Sequence, residues 1–288
     1  KNSTFNLEGR AAGRWKDGVG WAGQILQLSN RGLHAFALTA PVTLEIARQR
    51  VVLGSARVDL AGADLALHDL TYNAGQMTSS GEFKRLPLAY LKRLAADTEQ
   101  IDTDLTLTGN WQIAVGDQVN GHLSLKREGG DISYGNDPKI ALGLERLTLD
   151  VDAKNNLVQL NAEASGAQLG TLKASAQSQL SLRDGRWGIA GDAPLQGSAD
   201  LAIKSLAWLQ PIIDSAVVFD GSLKAQLHVD GRFAQPGMSG FVTGVGFTVA
   251  VVRVGGSHRD AVAVGVGEVS PFAGVDRDRL LVELAGPD

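Results

Sequence analysis

The residues of this chain with the chemistry for catalysis or metal binding are few and scattered. His34, His68, His122, His228 and His258 lack the short, repeated spacing that gathers ligands around one metal ion, so solvated or interfacial strand positions account for them better. Asp64, His68 and Asp69 can be assembled into a polar site on paper, but any chain of this size offers such combinations. Gly129-Gly130-Asp131 has the glycines of a phosphate cradle without the lysine and the following helix that such a loop needs. A β-turn fits it better. Asp150, Asp152, Glu163 and Asp184 are too dispersed to act as the paired carboxylates of a glycosidase. The chain contains no cysteine, which excludes disulfides, thiolate metal sites and cysteine nucleophiles and fits an oxidising compartment. The residues therefore predict no catalytic group, no metal and no cofactor: a chain that is not an enzyme.

The elements that hold these residues are more informative. A polar/apolar alternation with a period of two recurs over most of the 288 residues. Leu105-Thr106-Leu107-Thr108, Leu123-Ser124-Leu125-Lys126, Leu147-Thr148-Leu149-Asp150-Val151, Leu180-Ser181-Leu182-Arg183 and Leu223-Lys224-Ala225-Gln226-Leu227-His228-Val229 are examples. Side chains of a strand point alternately to opposite faces, so each segment presents one apolar and one wet face. Aromatic residues make up only 6% of the chain, while the 35 glycines exceed the usual ~7%, which suits many short strands punctuated by turns. Lys16-Asp17-Gly18, Asn30-Arg31-Gly32 and Ala61-Gly62-Ala63 carry turn chemistry. Trp111 and Trp187 read as caps at the end of an apolar face rather than as ligand-stacking platforms.

Two breaks interrupt the strands. Pro87 and the spacing of Leu88, Leu91, Leu94 and Ala95 predict a short amphipathic helix over 86–97, and Leu206, Leu209, Ile212 and Ile213 predict a second over 204–214, shortened or kinked by Pro211. Lys84, Arg85, Lys92 and Arg93 would suit the first to a membrane surface. Packing of its apolar stripe onto the sheet is the commoner use of such a helix.

The net charge of −4 is interspersed, with no basic field for nucleic acid. No apolar run approaches the ~20 residues that span a bilayer. Lys1-Asn2-Ser3-Thr4-Phe5 opens directly into a strand-like pattern, so the chain reads as an internal piece of something longer. Residues 245–288 stand apart: they lack Lys, Asn, Gln, Ile, Trp and Tyr and are rich in valine, glycine and alanine. Two readings stand for them, a flexible edge strand and tail, or a coding frame shifted near Gly244.

The run from Gly221-Ser222-Leu223 through Gly231-Arg232-Phe233-Ala234-Gln235-Pro236-Gly237-Met238-Ser239-Gly240 resembles the glycine, alternating strand, glycine–proline–glycine motif of the TamB family of AsmA-like proteins. Gly109-Asn110-Trp111 with Gly121-His122-Leu123 through Gly129-Gly130-Asp131, and Trp21-Ala22-Gly23 followed by Pro41 and the Leu65–Gly81 segment, are similar to other stretches of that family. The resemblance covers about residues 5–244. It implies an all-β fold, an elongated antiparallel sheet bent into an open trough (a β-taco), in a periplasmic protein. That protein would be held to the inner membrane of a Gram-negative bacterium by a segment absent from this chain. It further implies a partner in the outer-membrane barrel TamA, and a role in outer-membrane protein assembly, autotransporter secretion and phospholipid movement between membranes.

The residues themselves are compatible with that mechanism. An apolar face bent into a trough leaves a concave channel, in which a buried acyl chain gains roughly 0.8 kcal/mol per CH₂. Ala153, Ala162, Ala164, Ala174 and Ala176 leave room where larger side chains would fill it. The expected lining for a phospholipid acyl chain or an unfolded outer-membrane β-strand is Leu105, Leu107, Leu123, Leu125, Leu147, Leu149, Val151, Leu180, Leu182, Leu223 and Leu227. A client strand could also pair with an exposed sheet edge. Two alternatives remain open: an extracellular β-repeat adhesin, and a carbohydrate-active β-helix.

Overall fold

The computed structural model describes residues 6–17, 20–92, 101–134, 139–209, 217–251 and 264–265. They are almost entirely antiparallel β-structure. Eighteen strands belong to one sheet and three short ones to a second, and the large sheet is not closed into a barrel, as the expected open trough requires. The chain divides into two compact units, one built from residues 1–99, 103–130 and 148–158, the other from 100–102, 131–147 and 159–288.

The first unit is a meander. Its strands are β1 (Leu7–Lys16), β2 (Gly20–Asn30), β3 (Phe36–Leu38), β4 (Val42–Ala47), β5 (Arg50–Leu53), β6 (Ala56–Leu60), β7 (Ala63–Asn73) and β8 (Gln76–Pro87). After a short helix α1 (Leu88–Lys92) and the brief strand β9 (Ile101–Thr103), which lies mostly in the second unit and belongs to the small sheet, come β10 (Thr106–Val115) and β11 (Val119–Gly129). β2 pairs with β4 through residues 21–25 and with β3 through 29–30. β7 likewise pairs with β5 and β6 in turn, without a change of register. Thus β3 with β4, and β5 with β6, are each one long strand broken at mid-length.

Tight turns join these strands where the sequence permits positive φ. Ala61-Gly62 (φ 54° and 94°) and Ala74-Gly75 (φ 48° and 90°) are two-residue hairpin turns, whose backbone twist matches that of paired strands. At the β2–β3 corner Asn30, 2% exposed, engages both ends of its side-chain amide. Its Oδ1 accepts from the backbone N–H of Asn6 (2.8 Å) and Gly32 (3.0 Å), and its Nδ2 donates to the His34 carbonyl (2.7 Å). A buried amide is tolerated only on such terms.

Two bulges keep the pattern in phase. The alternation of Leu65 and Leu67 slips by one before Leu70 and Tyr72, and the β7–β8 register shifts at that point, between Leu67 and Asp69. His68 is the extra residue. In β8, Lys84 and Arg85 oppose the single Thr108, with Arg85 at φ 55°, which lets Leu86 follow Phe83 onto the apolar side. An inserted residue restores the face that a period of two would otherwise lose.

The second unit holds β12 (Ile132–Tyr134), β13 (Ile140–Ala141), most of β15 (Leu157–Gly166), then β16 (Gly170–Arg183), β17 (Arg186–Ile189), β18 (Leu195–Ile203), β19 (Val217–Arg232), β20 (Gln235–Val251) and β21 (Val264–Gly265). β14 (Leu144–Lys154) is divided between the two units. β16 pairs with both β17 and β18, β18 with β19, and β19 with β20. In β20, Gly240 adopts φ 156°, and a β-carbon there would lie 2.1 Å from the Gln226 carbonyl oxygen. Only glycine lets the two strands approach so closely.

The helices are smaller than the spacing predicts. Pro87 closes β8 instead of opening a helix, and the first break is the single turn Leu88–Lys92. Within this short helix the Leu88 N–H donates to the Leu105 carbonyl (2.8 Å), and the Tyr90 ring lies edge-on to His34 with 6.1 Å between centroids. The helix is folded onto the protein. The second break is a 3₁₀ turn, Ala207–Leu209. Residues 93–97 and 210–214 of the two expected helices lie outside the described residues. So does most of the atypical C-terminal segment, although β20 runs through Gly244 to Val251 and pairs with Val264 and Gly265.

Candidate apolar face

In both units the registers assemble single apolar residues into rows that cross the strands. In the first unit Leu38, Val58, Leu65, Phe83, Gly109, Leu125 and Leu149 lie directly opposite one another, strand to strand. A neighbouring row is Ala56, Leu67, Gly81, Trp111, Leu123 and Val151. A third, beside the hairpin turns, runs Trp15, Trp21, Ile46, Val51, Tyr72, Met77, Val115 and Val119. Directly opposed residues share a face, so all three rows lie on one side of the sheet.

The other side is polar. Arg57, Ala66, Glu82, Asn110, Ser124 and Asp150 form a row there, and His122 Nδ1 sits 2.8 Å from Asp152 Oδ1.

The second unit repeats the division with smaller residues. Leu172, Leu201, Ala225 and Val242 make one row, Ala174, Ala199, Leu227 and Gly240 the next, and Ala176, Gly197, Val229 and Met238 a third. On its opposite face Gln159 Nε2 donates to Gln177 Oε1 (3.4 Å), and Gln177 Nε2 to Gln196 Oε1 (2.6 Å).

These apolar faces are incompletely covered. Trp15 is 68% exposed, Ile46 42%, Tyr72 41%, Leu227 41% and Met238 66%; Leu123, Leu125, Leu147, Leu149, Val151, Leu180 and Leu223 are half-buried. Among the residues expected to line a channel, Leu123 stands opposite Val151, and Leu125 opposite Leu149. Leu180 faces Ile189, and Leu182, 54% exposed, faces Trp187. Leu223 and Leu227 lie on the apolar side of β19. Leu105 and Leu107 require a correction: at 0% and 6% exposure they are packed into the protein and offer no surface to a ligand. The same Leu-Thr-Leu pattern serves a covered strand end as readily as an open face, and only the tertiary neighbours distinguish the two.

The reading of Trp111 also changes. Trp111 lies within an apolar row, with its ring over Gly81 and its Nε1 donating to Ser79 Oγ (3.0 Å). Sequence reasoning missed the partnership between rings and glycines, because the partners stand on adjacent strands and their registry depends on the bulges.

The polar candidates are not brought together. Asp64 pairs with Arg85 (2.6 Å), Asp69 accepts from Ser80, and His68 is the exposed bulge residue. Glu163 sits between Arg146 (3.7 Å) and Lys173 (3.8 Å). At Gly129-Gly130-Asp131 no β-turn forms. Instead Asp131 uses its carboxylate to accept from the backbone N–H of Ile132 (2.8 Å), Gly143 (2.8 Å) and Leu144 (3.0 Å). A surface pair shifts one carboxyl: a hydrogen bond from its own backbone N–H, then the Arg183 guanidinium 2.7 Å away, holds the Asp192 carboxyl below the usual carboxylate range. Among the described residues no group of three or more His, Asp or Glu is placed to hold a metal, and no helix is long and apolar enough to cross a membrane.

An antiparallel sheet with rows of aliphatic and aromatic residues on one face and polar residues on the other is a two-faced β-scaffold. A model of the TamB N-terminal domain matches residues 3–243, and the chain belongs to the TamB family, proteins of the translocation and assembly module. No curated protein and no solved structure matches it.

Proposed function

We propose that this chain is the part of a periplasmic carrier that shelters hydrocarbon on its apolar face, moving phospholipid acyl chains between the inner and outer membranes. In this reading it makes and breaks no bonds. It works beside an outer-membrane barrel of the TamA kind, in outer-membrane protein assembly and autotransporter secretion, and a segment outside this chain holds it to the inner membrane. The observation that carries the reading is the set of unbroken apolar rows with partly exposed side chains. A surface of that extent exposed to water is unfavourable unless something occupies it. Its chemistry favours hydrocarbon: the rows are aliphatic or aromatic, and Trp111 Nε1 already has Ser79 as its partner. A peptide laid on such a face would find few partners for its backbone N–H and C=O groups, whereas an acyl chain needs none.

A second reading concerns the sheet's edge. Among the described residues β1 pairs along one side only, with β2, and its ten residues are exposed. Such an edge can accept an unfolded outer-membrane strand by β-augmentation.

Photo-crosslinking from Leu125, Leu149 and Leu182 tests both. Recovery of phospholipid is the expected result; recovery of protein alone favours the strand-holding reading, and recovery of neither overturns both.

A further inference from the structure

Three of the large side chains on the first unit's apolar face, Trp111, Phe83 and Trp21, lie down on it. A β-carbon at Gly81 would sit 2.4 Å from the Trp111 ring, one at Gly109 2.7 Å from the Phe83 ring, and one at Gly13 2.4 Å from the Trp21 ring. None of these contacts leaves room for a methyl group. Each ring occupies the place of a β-carbon that the neighbouring strand lacks. The Trp111 ring is also fastened, because its Nε1 donates to Ser79 Oγ at 3.0 Å. Trp111 and Phe83 sit in adjacent rows on β10 and β8, so their flat rings floor a continuous patch between Leu65 and Leu123. An upright indole would stand several ångströms above its neighbours and block anything lying along the rows.

We propose that these ring-on-glycine pairs are a depth gauge: they keep the face low enough for an acyl chain to lie across β8, β10 and β11, with the Trp111–Ser79 hydrogen bond as the latch. The gauge rests on the reading of this face as a hydrocarbon carrier. It makes Gly81 and Ser79 positioning residues, neither of which need touch the lipid.

The test uses a photo-crosslinking residue at Val151, in the Trp111 row but two strands away, with a second at Leu182 in the other unit as the reference. The protein is held in membranes carrying radiolabelled phospholipid. Gly81→Ala forces the ring upward, and its expected effect is a several-fold drop in lipid recovered at Val151 with recovery at Leu182 retained. The added methyl would also come within 2.6 Å of the Ala66 carbonyl oxygen, so the decisive variant is the double one. Gly81→Ala with Trp111→Leu removes the ring that is raised, and restores the yield at Val151 if the ring is the obstacle. A double variant as poor as Gly81→Ala overturns the gauge, since the backbone is then the cause. Ser79→Ala, which adds no bulk, is expected to lower the yield at Val151 in a protein that melts as the parent does. An unchanged yield overturns the latch. Absence of lipid at both positions in the parent protein instead removes the carrier reading, and the gauge with it.

Discussion

Asp131 shows what a single side chain contributes where the chain has no regular structure to rely on. Its carboxylate gathers three backbone N–H groups between Ile132 and Leu144, and hydrogen bonds to an ionised acceptor are the stronger kind. Asp131→Ala is expected to lower stability by about 3 kcal/mol, read as a shift in the denaturant midpoint; a shift under about 0.5 kcal/mol, the ordinary surface value, would contradict this role. Asp192 makes a contrasting case. Both partners of its pair with Arg183 are largely exposed, at 61% and 62%, and such pairs contribute little to stability. Because folding lowers its pKa, its contribution is present above the ordinary carboxylate value and is lost as pH falls through the lowered one. Arg183→Gln should move the Asp192 titration, followed by carboxyl NMR, upward toward the usual range, with the backbone hydrogen bond retaining part of the shift. No movement would remove Arg183 as a cause. Neither role was legible in the sequence: Asp131 sits in what reads as a turn, and Asp192 finds Arg183 only because β17 folds back on β16.

Strands were the legible elements, and bulges were not. The β6 and β18 boundaries follow directly from alternation and flanking turns, since nothing interrupts the period of two in Ala56–Leu60 or Leu195–Ile203. In β7 the alternation slips, and a slipped pattern resembles noise until the partner strand shows where the extra residue goes. The bulge needs a residue at position 68 but not an imidazole. His68→Ala is therefore expected to change stability by less than about 0.5 kcal/mol. Deletion of His68 should keep Leu70 and Tyr72 on the apolar side and the β7–β8 pairing intact, because a plain period of two remains. It should instead shift β7 by one residue against β5, whose register counts position 68, seen as lost amide-exchange protection over 50–53. A deletion variant that keeps that protection would overturn the bulge's role. The short α1 shows the opposite failure: Leu88, Leu91, Leu94 and Ala95 have helical spacing, yet Pro87 already belongs to β8, whose pairing with β10 extends to the last residue before the turn.

At the scale of the whole molecule the division into one apolar and one polar face was legible from the first few Leu-x-Leu segments, because it depends only on the period. Which apolar residues remain open was not, since openness is set by neighbours distant in sequence: Leu105 is covered and Leu182 is exposed although both lie in the same pattern. The central claim is that the apolar rows, and not the sheet in general, meet hydrocarbon. Scanning a photo-crosslinking residue through positions 122–126 and 148–151 in membranes with labelled phospholipid tests it most directly. The account predicts recovery with a period of two, with lipid from Leu123, Leu125, Leu149 and Val151 and little from His122, Ser124, Lys126, Thr148 and Asp150. Equal recovery from both faces, or recovery confined to the polar positions, would contradict it.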